Sequence, residues 1–227
     1  MVPWHRNAKI AFIGSHGIRK TTAALAFASV IQRAGRSVEF AREVVRDNPL
    51  GINEGATCEA QLWVLTSQIR RELELAQKAE CLVTDRGVMD NFAYYLRACG
   101  NEDRFDAEPL ARKWSGTYDL VVRLTPDVEI RADGVRSTSD GFRDEIEAIL
   151  DLHLPRLVPS DRLVVQPASE ITENHDWWPL AERLASRVGE PLLAAGVTRP
   201  ARIQRSTARS KPAKRIADDQ LALDLGR

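Results

Sequence analysis

Little in this sequence points to a metal centre, a membrane or a disulfide scaffold. Its three cysteines, Cys58, Cys81 and Cys99, are odd in number and widely separated, so neither a disulfide framework nor a metal-binding spacing can be drawn from them. The four histidines, His5, His16, His153 and His175, are equally scattered, which speaks against a zinc site. No apolar run approaches the roughly 20 residues that span a bilayer, so no membrane partner is expected. The opening MVPWHRNAK has no hydrophobic stretch of signal type, and a cytoplasmic protein is the expectation. Charge of one sign is also lacking, because Lys+Arg and Asp+Glu each number 32 in 227 residues. The molecule as a whole has no net field to draw in nucleic acid. Residues 199–215 are the local exception, with seven Arg/Lys and no acid, which leaves the body before them net acidic.

What is present is an ordinary globular composition, 44% apolar and 28% charged, in a chain long enough for one α/β domain and an appendage. Lys9–Ile13 is a short apolar run ending in a glycine loop, and it reads as a buried strand. Lys20 to about Arg33 reads as a helix closed by Gly35, and Ser37–Phe40 as a second strand. Leu62, Leu65, Ile69, Leu73 and Ala76 fall at helical spacing within a segment from Cys58 to Ala79. Cys81–Thr84, Leu120–Leu124 and Leu163–Val165 supply three more strands. Further helices are expected up to about Cys99, from Gly141 to His153 and from Asn174 to Val188. Strands alternating with helices predict an α/β fold: a five-stranded parallel sheet with helices on both faces and strand one central. The domain is expected to occupy residues 1–190. Residues 191–227, small, polar and basic, read as a disordered tail.

Between the first strand and the first helix stands Gly14-Ser15-His16-Gly17-Ile18-Arg19-Lys20-Thr21-Thr22. This is the context that a G-x-x-x-x-G-K-[ST] phosphate loop requires. Backbone N–H groups there cradle phosphate oxygens, Lys20 reaches the β- and γ-phosphates, and the Thr21 hydroxyl binds Mg²⁺. All nine residues are therefore candidates for holding ATP. Arg19 replaces the second glycine of the motif. Glycine serves there because backbone must approach phosphate closely. The arginine either swings outward or stands in the site, and weakened nucleotide binding is the expectation.

Two further groups sit where an open parallel sheet binds its ligands, beyond the carboxyl ends of the strands. Glu39-Phe40-Ala41-Arg42-Glu43 follows strand two, and Thr84-Asp85-Arg86 ends strand three. Asp85 is a candidate for the Mg²⁺ shell, Glu43 or Asp85 for the base that takes a hydroxyl proton, and Glu39, Arg42 and Arg86 for substrate contacts. Arg131, Arg136 and Arg143 lie in a charged stretch after strand four, within a lid expected at about residues 125–145. Such arginines place positive charge around a migrating phosphoryl group as a site closes.

On GSHGIRKTT, EFARE, TDRGVMD and the DGVRS…FR stretch, the chain over about residues 8–188 resembles the small P-loop kinases. Among these it is most similar to the ribosylnicotinamide-kinase-like AAA family. The resemblance implies a three-layer P-loop NTPase fold with a helical lid, and ATP- and Mg²⁺-dependent phosphorylation of a nucleoside, nucleotide or related small molecule. The tail adds one more likeness. Gln220-Leu221-Ala222-Leu223-Asp224-Leu225 resembles the short peptides by which bacterial replication and repair proteins dock on the sliding clamp, and the basic run before it suits weak, non-specific contact with DNA phosphates. The alternative to an enzyme is thus a degenerate P-loop binding module recruited through its tail. The tryptophans Trp63, Trp114, Trp177 and Trp178 read as core and are assigned to no substrate.

Overall fold

The computed structural model describes residues 7–51, 55–127, 140–172 and 174–188. The chain divides into a unit Met1–Val197 and a second, Thr198–Arg227, which lies wholly outside the described residues. Arg131, Arg136 and the clamp-like Gln220–Leu225 lie outside them too.

Five strands form one sheet in the order β2-β3-β1-β4-β5, with β1 in the centre and every pairing parallel. They are β1 (Ala8–Ile13), β2 (Val38–Ala41), β3 (Cys81–Asp85), β4 (Leu120–Thr125) and β5 (Leu163–Pro167). The helices are α1 (Lys20–Arg33), α2 (Cys58–Leu75), α3 (Val88–Ala98), α4 (Ala107–Ser115), α5 (Asp140–Leu157) and α6 (Trp178–Val188). β1, β3 and β4 are buried almost throughout, as strands covered on both faces must be. One face carries Phe12, Phe27, Ile31, Val83 and Val122 with Trp177 and Trp178, under α1 and α6. The other carries Ala11, Ile13, Leu65, Phe92, Tyr95 and Val121, under α2, α3, α4 and α5.

Beside α2, which ends at Leu75 and not at Ala79, three elements differ from the expectation, each for a local reason. α4 is a helix that the sequence reading left out. Its Pro109 sits in the first turn, where a missing N–H is harmless, and its cap comes from upstream: the Asp103 carboxylate accepts the N–H of Ala107 at 2.7 Å and of Glu108 at 2.8 Å. α5 runs past His153 and through Pro155, because Leu154 and Leu157 are buried against α3 and α4. α6 starts at Trp178 and not at Asn174, since the Asp176 carboxylate accepts the Trp178 N–H at 3.1 Å.

The cysteines give a correction. Cys58, opening α2, and Cys99, at the end of α3, are disulfide-bonded with Cα atoms 4.8 Å apart. The odd count and the 41-residue separation hid the pair, while Cys81 stays free and buried. A second unforeseen feature is Lys9, buried in β1. Its ammonium pairs with the fully buried Glu72 of α2, donates to the Thr117 hydroxyl at 2.8 Å and lies 4.0 Å from the centre of the Tyr118 ring. Glu72 also accepts from Gln68, Trp114 and Tyr118 at 2.7–2.8 Å, so both buried charges are satisfied. Burial lowers the Lys9 pKa, against the pull of Glu72 and Asp119.

Candidate active site

The strand order fixes where the site lies. β1 pairs with β3, so Phe12 stands opposite Asp85, and the loop leaving β1 emerges beside the carboxyl end of β3. The loop begins at Gly14, whose φ is +134°. A Cβ there would stand 2.6 Å from both Ile18 Cδ1 and the Leu124 carbonyl oxygen, so no other residue fits. The Ser15 N–H donates to the Glu147 carboxylate of α5 at 2.9 Å, and Glu147 is held in turn by Arg123 of β4 at 2.9 Å. α1 then starts at Lys20 with no side-chain cap and no acidic residue in its first turn. Its leading N–H groups and positive dipole end are left for an anion.

Arg19 precedes Lys20 in the left-handed conformation, φ 63° and ψ 22°, the torsions that a glycine supplies without strain. Its exposed side chain turns outward and donates from Nη1 to the Ile171 carbonyl, 3.0 Å away, beyond β5. Of the two expected placements the structure has the outward one. In this placement the side chain leaves the loop for the segment after β5, and what the substitution imposes on the loop is backbone strain.

Lys20 is buried and its ammonium donates to the Ser15 carbonyl, so it lies back along its own loop. Burial, with the Arg86 charge behind it, pulls its pKa down to about 8, against Asp90, Glu43 and Asp85. The Thr21 hydroxyl donates to the Asp85 carboxylate at 2.6 Å. These two hard oxygen ligands meet at the mouth of the loop, which is the donor chemistry that Mg²⁺ takes beside phosphates and water. Among the described residues no group of three or more His, Cys, Asp or Glu side chains could hold a metal by itself.

Arg86 follows Asp85 with φ 82° and is buried. Its Nε donates to Glu43, Nη1 stands 3.5 Å from Asp90, and its guanidinium lies 4.7 Å from the Tyr94 ring centre. Burial alone would lower its pKa, but Glu43, Tyr94 and Asp90 outweigh that and raise it. Tyr94 of α3 stands 3.2 Å through its hydroxyl from Nδ1 of His16, and His16 stacks on Phe142 of α5. The phosphate loop, the ends of β2 and β3 and the first turns of α3 are thus one connected cluster.

The structure brings together Lys20, Thr21, Asp85, Arg86 and Glu43 from the expected set. Thr22 is exposed on the first turn of α1, and Gly17 and Ile18 complete the loop. Glu39 lies within edge strand β2 opposite Leu82, and Arg42 is exposed; among the described residues neither joins the cluster. Arg143 is half-buried near the start of α5. Sequence reasoning missed Asp90, Tyr94 and Glu147. Asp90 had a readable signal, an acid three residues past a glycine at a helix start, whereas nothing local marks Glu147.

Comparison with known proteins agrees with this geometry. A family described as "AAA domain" matches residues 9–159. No curated protein matches the chain at a significant level. Among solved structures, NadR in complex with NAD and AMP-PNP superposes with a TM-score of 0.57 at 16% identity, covering 86% of this chain and 52% of that one. NadR in complex with NR gives 0.57 at 18% identity, over 82% and 52%. Deoxyadenosine kinase from M. mycoides with bound dATP gives 0.50 at 15% identity, over 74% and 95%. The chain spans about half the length of the NadR structures. Loop and sheet order together are those of a P-loop fold, and the chain belongs to the AAA-domain family.

Proposed function

We propose that this protein is a Mg-ATP-dependent phosphotransferase that phosphorylates a hydroxyl of a nucleoside, nucleotide or related small molecule. The observation that carries the reading is the 2.6 Å contact of Thr21 with Asp85 beside the uncapped start of α1 and the buried Lys20. The NadR structure with AMP-PNP and the deoxyadenosine kinase structure with dATP support an ATP-type donor and a nucleoside-like acceptor.

Loop N–H groups and Lys20 hold the triphosphate, and Thr21 and Asp85 hold Mg²⁺, which neutralises charge on the phosphates when bound. Glu43, at the end of the segment that follows β2, is the carboxylate that takes the proton of the attacking hydroxyl. Arg86 keeps Glu43 in place through their buried ion pair. Arg131, Arg136 and Arg143 supply charge that strengthens as the phosphoryl group leaves. Such an enzyme works where Mg-ATP is held, so the reading carries a cytoplasmic location with it. Calorimetry with Mg-ATP, followed by an ATP-consumption screen over nucleosides and nucleotides, tests the proposal. Binding with acceptor-dependent consumption is expected; no binding would overturn it in favour of a degenerate loop that serves as a binding module.

A further inference from the structure

Asp90 is the one fully buried carboxyl in the cluster to which the phosphotransferase reading gives no part. It stands at the third position of α3, where Oδ1 accepts the Gly87 N–H at 2.8 Å, while Oδ2 faces Nη1 of Arg86 at 3.5 Å. One side chain thus ties down both the turn that carries Asp85 and the guanidinium that holds Glu43. We propose that Asp90 is a positioning residue of the transfer site, kept as a buried charge to hold Arg86 and the Asp85–Gly87 turn for the reaction. The proposal rests on the phosphotransferase reading for the step that it serves.

A capping role alone does not account for an acid here. At this third helical position an amide oxygen can accept the same Gly87 N–H and brings no charge to bury. The groups that face Asp90 are Lys20 from α1, Glu43 from beyond β2, Arg86 from the turn after β3, Tyr94 from its own helix and Tyr118 from the segment before β4. Burial pushes its carboxyl up to about 6, against the pull of Arg86 and Lys20. The sign of the consequence is definite. A carboxyl whose folded pKa is raised binds its proton more readily in the folded state, so ionised Asp90 opposes folding above that pKa. The opposition fades as pH falls toward the unfolded value. A charge retained against stability, inside a phosphate site, marks a functional demand.

Asp90→Asn separates the two roles, because the amide keeps an oxygen for the Gly87 N–H and loses the charge for Arg86. With the full chain, the variant is expected to melt at least about 3 °C above the wild type at pH 8, with the gap closing toward pH 4. It is also expected to lose about tenfold in kcat with KM for Mg-ATP changed less than about threefold, and to lack the acid limb near pH 6 that is expected in the wild-type kcat profile. A lower melting temperature at pH 8 would make Asp90 a structural ion-pair partner and overturn the inference, as would an unchanged kcat. A wild type that consumes no ATP with any acceptor would sink the phosphotransferase reading, and the melting comparison would then decide Asp90 by itself.

Discussion

The Arg19 guanidinium and the Ile171 carbonyl are 3.0 Å apart although 152 residues separate them in the chain. This contact holds outward the one side chain that departs from the phosphate-loop pattern. The left-handed backbone costs Arg19 about 1 kcal/mol, and a part-buried hydrogen bond returns a similar amount. Arg19→Gly removes both and is expected to leave Mg-ATP affinity within about threefold and the melting temperature within about 3 °C. Arg19→Ala keeps the strain, loses the bond and is expected to melt lower than either. Calorimetry and thermal melts on the three proteins check this; a tenfold gain for Arg19→Gly would mean that the arginine obstructs the nucleotide after all.

Lys20 gives the site a pH dependence. With its pKa near 8 in the empty site, its positive charge is present at pH 7 and mostly gone by pH 9. Mg-ATP affinity is expected to fall by about tenfold over that range, following the protonated fraction. The variant Lys20→Ala should bind weakly at both pH values, with little slope. A flat profile in the wild type would show that another group carries the charge.

Glu43 and Arg86 form a buried pair, and the two should respond differently to substitution. Arg86→Met leaves Glu43 buried without its countercharge, a loss of about 3–5 kcal/mol. Glu43→Gln keeps a hydrogen-bond acceptor for Arg86, so a smaller stability loss is expected with a fall in kcat of about 10²–10⁴-fold. Urea unfolding beside acceptor-dependent ATP consumption separates the two effects. Full activity in Glu43→Gln would move the base elsewhere, with Asp85 the remaining carboxylate.

Cys58 and Cys99 join the start of α2 to the end of α3, the two helices that flank the Arg86 cluster. Closing a loop of this length stabilises a fold by about 4 kcal/mol. Reduction, or Cys58→Ser with Cys99→Ser, is expected to lower the melting temperature by roughly 10 °C. The native protein should weigh two hydrogens less than its reduced form. Native protein that labels readily at Cys58 would refute the pairing. Cys81 should stay unlabelled in either state, since burial pushes its thiol up to about 12.

The five strands, the central place of β1 and the phosphate loop were legible because they rest on short-range patterns and on simple connection rules. Buried strands show as apolar runs, and the phosphate loop keeps its chemistry within nine consecutive residues. The rest of the site was not legible because its contacts join distant segments. His16 meets Tyr94 across 78 positions, and Ser15 meets Glu147 across 132. α4 escaped because its cap, Asp103, stands four residues before the helix begins. Glu39 and Arg42 lie in the same short segment as Glu43, but Glu39 sits within edge strand β2 and Arg42 is exposed, so nearness in sequence does not by itself bring them to Arg86.

The Lys9–Glu72 pair has a consequence for how this family can diverge. Either charge alone, stripped of its partner in a water-free interior, would be heavily destabilising, while two apolar residues of similar size would be tolerated. No single substitution leads from one solution to the other without passing through a poorly folded protein. Gln68, Trp114, Thr117 and Tyr118 are bound into the same arrangement through their contacts with the pair. Descendants of this sequence should therefore inherit the set whole or have exchanged it in a concerted way, so that these positions mark lineage.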